Sequence, residues 1–155
     1  MMPYLVDGHN LIPKLGLRLD SFDDEEALIA LLQEFCRLRR AGVEVYFDGA
    51  PPGHPSTRKA GAVTAHFVRL GSSADAAIET RLGRLGKQAR NWTVVSSDGR
   101  VQAAGHAVHA VVLSSEEFAG KVSAAAEQVG ISKRETGLSP EEVDEWLGFF
   151  KNRKG

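Results

Sequence analysis

Four aspartates stand where short apolar runs stop. Tyr4-Leu5-Val6 ends at Asp7, Val43-Glu44-Val45-Tyr46-Phe47 ends at Asp48, and Trp92-Thr93-Val94-Val95-Ser96 is followed by Ser97-Asp98. The fourth, Asp75, opens a helical pattern in Ser72-Ser73-Ala74-Asp75. Each one alone is an ordinary turn former or helix cap. Four gathered on one rim would be different. Like charges within a few ångströms repel, and such a cluster destabilises a fold unless a cation compensates it. Oxygen-only ligands select hard cations, which points to Mg²⁺ or Mn²⁺. Such an ion, held by few carboxylates, suits metal-assisted phosphoryl chemistry.

The neighbours of these acids are more ambiguous. Asn10 follows Asp7 by three residues; it is a natural N-cap if a helix begins at Leu11, or a group that orients a metal water or Asp7. His9 is a packed turn residue or a substrate contact. Ser72, Ser73, Ser96 and Ser97 are caps and turn formers by default, with phosphate or metal-water contact as the sharper reading. Arg81, Arg84 and Lys87 recur every three residues on what reads as the outer face of the Asp75 helix, Arg90 continues them, and Arg58-Lys59 follow Asp48. They form either a solvated surface or a set of contacts to a phosphate backbone.

The elements that must position these residues alternate between β-rich and helical patterns. Strands are expected at 3–6, 43–47, 63–69, 92–96 and 109–113. Helices are expected at 23–40, capped by Asp20 or Ser21, and at 72–86, 100–104, 115–128 and 138–151. Pro51, Pro52 and Pro55 make Gly49–Ser56 a loop. This rhythm implies an α/β fold with a mainly parallel sheet of about five strands and helices on both faces. Ligands of such sheets bind at the carboxyl ends of the strands, where the four acids lie.

The 155 residues, 43% hydrophobic and 25% charged, suit one globular domain with a real core. A net charge of −1 gives no global sign of a nucleic-acid partner. The start, MMPYLVDG, lacks a secretory pattern, and no apolar run could span a bilayer, so no membrane role is expected. The lone Cys36 excludes a disulfide framework and suits a cytoplasmic location. No dinucleotide-binding glycine motif, phosphate-binding P-loop or serine nucleophile elbow is present. His9 stands where an aspartyl-phosphatase would want a second acid. His9, His54, His66, His106 and His109 show no metal-ligand spacing.

Taken in order, Val6-Asp7-Gly8-His9-Asn10, Tyr46-Phe47-Asp48-Gly49, Ser73-Ala74-Asp75 with Ile78, and Val95-Ser96-Ser97-Asp98 resemble the NYN domains of the PIN-like nucleases, and their YacP-like branch in particular. The resemblance runs from about residue 3 to about residue 120. It implies a three-layer α/β/α PIN-like domain over 1–130; the C-terminal extension, 131–155, lies outside the resemblance, and its one helix packs on the domain or serves a partner or dimer. It also implies a metal-dependent endoribonuclease of the kind linked to ribosome-associated mRNA decay, with RNA and the ribosome as partners. By matching position, Asp7, Asp75 and Asp98 would be the catalytic and metal-binding acids. Asp48, Asn10 and Ser97 would support them, and Arg58, Lys59, Arg81, Arg84 and Lys87 would meet RNA. Ala76 and Val101 stand where relatives often carry further acids, so a weakly active or inactive RNA- or ribosome-binding module is the alternative. A small-molecule phosphohydrolase is a third option.

Overall fold

The computed structural model describes residues 2–16 and 22–135. The Asp20/Ser21 cap and the 138–151 helix expected from the sequence lie outside the described residues. Six strands form one sheet: β1 (Met2–Asp7), β2 (Ala41–Ala50), β3 (Thr57–Ala60), β4 (Val63–Arg69), β5 (Thr93–Val95) and β6 (Val111–Leu113). Their order is β3-β4-β2-β1-β5-β6, and every pairing is parallel except β3 with β4. The helices are α1 (Gly8–Leu11), α2 (Phe22–Arg39), α3 (Ala74–Leu85), α4 (Gly99–Ala107) and α5 (Ser115–Glu135), with 3-10 turns at Ile12–Leu15 and Gly86–Asn91.

Side chains alternate across the sheet, so each face builds its own core. On one face Val43, Val45 and Phe47 of β2 and Tyr4 and Val6 of β1 pack against Leu28, Leu32 and Phe35 of α2 and Phe118 and Val122 of α5. On the other face Leu5, Tyr46 and Val94 meet Ile78 and Leu82 of α3 and Val101 of α4. The result is the expected three-layer α/β/α architecture. No helix among the described residues is long and apolar enough to cross a membrane.

Two differences from the sequence reading have clear causes. β3 was not expected, because Thr57-Arg58-Lys59-Ala60 has no apolar alternation. It is an exposed antiparallel edge strand, and charged side chains are the usual protection for such an edge. The strand expected from residue 109 begins only at Val111. His109 lies in a turn with φ +62°, outside the extended region.

An acidic rim at the carboxyl edge of the sheet

β1 ends at Asp7 at the centre of the sheet, and its neighbours β2 and β5 deliver Asp48 and Asp98 to the same edge. Asp75 joins them from the first turn of α3, whose N-cap Ser73 accepts from the Ala76 amide at 3.1 Å. Asp7 is only 8% exposed. Burial, followed by the charges of Asp75 and then Asp48, pushes its carboxyl up to about 6. Asp75 is raised too, by burial and then by the charge of Asp98. The four acids therefore feel one another across one rim.

Asp7 is held by few donors. The Asn10 amide hydrogen-bonds to it, and the buried Ser96 hydroxyl reaches its Oδ2 at 3.5 Å. Ser96 Oγ also accepts from the Asp98 amide at 3.0 Å, so one hydroxyl links two of the acids. Asp98 caps α4 by accepting from the Arg100 amide at 2.8 Å. Gln102 Nε2 donates to the Ser96 carbonyl at 2.8 Å and fixes this loop from behind.

Asn10 does not cap a helix at Leu11. α1 starts at Gly8, and Asn10 lies within it. Its Oδ1 accepts from the Ser97 amide at 2.8 Å and from the Ser115 hydroxyl at 2.5 Å. Ser97 Oγ in turn accepts from the Ser115 amide and donates to Glu116, which pairs with Lys14 at 2.9 Å. Asn10 and Ser97 thus tie together the ends of β1 and β5 and the start of α5, which fixes the loops that carry the acids.

His9 is not free for a substrate. Its Nε2 lies 2.5 Å from Glu25 and its Nδ1 lies 2.8 Å from Asp48. These bonds, the one to Glu25 first, raise its pKa and favour the imidazolium, which supplies positive charge beside the rim. Sequence reasoning missed Glu25. It is one acid among several in Asp23-Asp24-Glu25-Glu26, and only the fold brings it to His9. Gly8 is needed for space and not for a left-handed turn: a Cβ there would lie 2.4 Å from the Phe47 ring and 3.0 Å from the Tyr46 carbonyl oxygen.

The basic residues divide. Arg81 is not on an outer face. It makes a two-pronged ion pair with Glu44, both bonds at 2.9 Å, and lies over Trp92 at 5.3 Å. Arg58 pairs with Glu26 on the α2 side of the sheet. Both cations are therefore committed within the fold. Lys59, Arg84 and Lys87 are exposed and carry no ion pair among the described residues. Ala76 lines a surface cavity, and Val101 is wholly buried in the core, so neither position bears on the rim as an acid would.

The donor set is made of oxygens, and it includes a buried carboxylate pressed by like charges. That chemistry fits a hard divalent cation. Among the described residues no three Asp, Glu, His or Cys side chains stand close enough to hold a metal by themselves. Mg²⁺ does not require such a cage, because it commonly takes one or two carboxylates together with waters and substrate phosphates.

An α/β/α sandwich with acids on the carboxyl edge of a parallel sheet is the architecture of the PIN-like nuclease superfamily. Within it, this chain belongs to the YacP-like NYN domain family, which it matches over residues 4–146. Two solved structures of Rae1 (YacP) from Bacillus subtilis are similar to it. One matches at 25% identity and a TM-score of 0.72, covering 88% of this chain and 82% of that one. The other, a W164L mutant, matches at 25% identity and a TM-score of 0.68, covering 97% and 92%. No curated protein matches the chain.

Proposed function

We propose that this protein is a divalent-metal-dependent ribonuclease that hydrolyses RNA phosphodiesters internally, in the cytoplasm, in mRNA decay or RNA processing. The observation that carries this reading is Asp7: a carboxylate buried at the end of the central strand and raised to about 6 by burial and neighbouring acids. A fold keeps such a group at a cost in stability, and perturbed acids of this kind cluster at functional sites. Family membership supports the same direction.

Asp7, Asp75 and Asp98 would hold Mg²⁺ or Mn²⁺, with Asp48 in support. Bound there, the cation would activate water and offset charge on the phosphoryl oxygens during attack. The chain's own residues set the stage for this. Ser96 links Asp7 to the Asp98 amide, and Asn10 and Ser97 lock the loops that carry the acids. His9 holds Asp48. RNA, in transcripts or on the ribosome, is the proposed partner.

Cleavage of labelled single-stranded RNA with Mg²⁺ or Mn²⁺ tests the reading, with wild type, Asp7→Asn and Asp75→Asn compared. Loss of cleavage in both variants is expected. Equal activity in all three would sink the proposal, and RNA affinity without cleavage would favour a binding module.

A further inference from the structure

α3 covers only part of its face of the sheet, and the face of β4 on that side is left partly open. Which β4 side chains line that opening is set by the pleat. Thr64, His66 and Val68 of β4 are half-buried on the α3 side, whereas Val63, Ala65 and Phe67 point into the opposite core. β3 extends the same surface. Lys59 lies directly opposite Thr64, and residues opposite each other in an antiparallel pair share a face. Between this floor and α3 lies a cavity of about 650 Å³, within the range of roughly 300–1,000 Å³ usual for ligand sites. A second cavity of about 380 Å³ adjoins it, sharing Glu44 and Thr64 and reaching Lys59 and Trp92. Together they make a trough. Its upper end opens at Ser72 and Ser73, the turn that leads through Ala74 to Asp75 on the acidic rim.

The lining of the trough has a specific chemistry. The His66 ring lies flat on Tyr46, with centroids 4.7 Å apart and planes 17° from parallel, and it borders the open cavity. The single acid in the trough, Glu44, is already engaged. It accepts from both Arg81 prongs and from the Tyr46 hydroxyl at 3.0 Å, and the edge of the His66 ring faces it, with Nε2 3.7 Å from Oε1. Its charge is therefore matched within the floor. Arg84 on the wall and Lys59 on the edge are exposed and have no ion pair among the described residues. A flat ring plate, two uncommitted cations and a neutralised acid complement a stacked base and its phosphates.

We infer that this trough is a nucleotide subsite of the RNA substrate, in which one unpaired base stacks on His66 and the adjoining phosphates meet Arg84 and Lys59. The inference rests on the nuclease reading for its substrate class, and it adds the path by which the strand reaches the rim. Only a single strand can use the trough, because a duplexed base has no free face. It also assigns the cations separate roles: Arg81 builds the floor, and Arg84 and Lys59 meet the ligand.

The test is the affinity of fluorescein-labelled single-stranded RNA, measured by anisotropy without metal in EDTA. His66→Ala should weaken binding about tenfold, the loss of one stacked base. His66→Phe, which keeps a stacking plate, should bind close to wild type. Arg84→Ala should lower the slope of log affinity against log salt by about 0.7, the value for one phosphate contact on a single strand. Circular dichroism and melting of each variant confirm its fold. If His66→Ala unfolds, His66→Leu, which fills the space without a stacking plate, takes its place and should show the same loss. Wild-type affinity and salt slope in folded His66→Ala and Arg84→Ala would overturn the inference. Metal-dependent cleavage is measured separately: its absence in wild type would refute the nuclease reading and leave the binding result standing.

Discussion

Replacing Asp7 with asparagine should stabilise the metal-free protein while removing the cleavage activity proposed for it. The Asp7 carboxyl, ordinarily near 3.8, is raised to about 6 in the fold. At about 1.4 kcal/mol per tenfold change in proton affinity, ionising it in the fold costs about 3 kcal/mol. Between those two values the folded protein keeps a proton that the unfolded chain has released. Stability therefore falls as pH rises through this window, and the full penalty is present above it. Asparagine carries no charge, and its amide oxygen can still accept from the Asn10 amide and the Ser96 hydroxyl. Allowing for imperfect pairing of the new NH₂ group, the variant should gain about 1–3 kcal/mol at about pH 7.5 and almost nothing at about pH 4. For a domain of this size, at about 2–4 °C per kcal/mol, that corresponds to a rise in Tm of about 2–12 °C. Thermal melts in EDTA at both pH values measure it. Millimolar Mn²⁺ should then raise the Tm of wild type more than that of Asp7→Asn, since binding to the native state alone stabilises it. A variant no more stable than wild type at about pH 7.5, or one with the same advantage at both pH values, would refute the account of Asp7 as a strained, compensable charge.

The pairing of His9 with Glu25 and Asp48 raises its pKa, so its contribution is complete below its ordinary value of 6.5 and is lost as pH rises through the folded value. His9→Gln should accordingly destabilise the protein most in the acid range and progressively less towards alkaline pH; a gap in melting temperature that does not change with pH would contradict this. Gly8→Ala forces a Cβ to within 2.4 Å of the Phe47 ring. Urea unfolding should show a loss of about 1–3 kcal/mol, and an unchanged midpoint would show that the ring has room to move. Asn10→Ala removes the shared acceptor of the Ser97 amide and the Ser115 hydroxyl and should cost about 1–3 kcal/mol. It should reduce cleavage more than Mn²⁺ affinity, because Asn10 positions loops; an effect on metal affinity alone would assign it to the ligands instead.

Much of this arrangement is legible in the sequence because it depends on local pattern. Buried parallel strands read as short apolar runs, and the acids fall at their ends, so the sheet and its rim follow from Tyr4-Leu5-Val6-Asp7 and its counterparts. The edge strand β3 escapes detection because its stability comes from pairing with β4 and not from its own polar side chains. Roles set by distant partners are hidden for the same reason. Nothing near Arg81 in sequence marks Glu44 as its partner, and nothing near Asn10 marks Ser115. Glu25 is indistinguishable from the acids around it until His9 is placed against it. Asp-Gly is an ordinary turn pair in sequence, yet at Gly8 the constraint is the width of a phenylalanine ring on the neighbouring strand.

The central position of β1 has a consequence for the order in which the molecule can form. The strand that bears Asp7 precedes β2 and β5 in the chain, yet it lies between them and cannot be enclosed until both exist. The Ser96 hydroxyl that steadies Asp7 comes later, and the Ser115 hydroxyl that closes the Asn10 knot lies 105 residues beyond Asn10. Contacts this distant in sequence form late because the intervening chain must first be brought together. A growing chain therefore carries its central acid well before the groups that organise the rim around it have been synthesised.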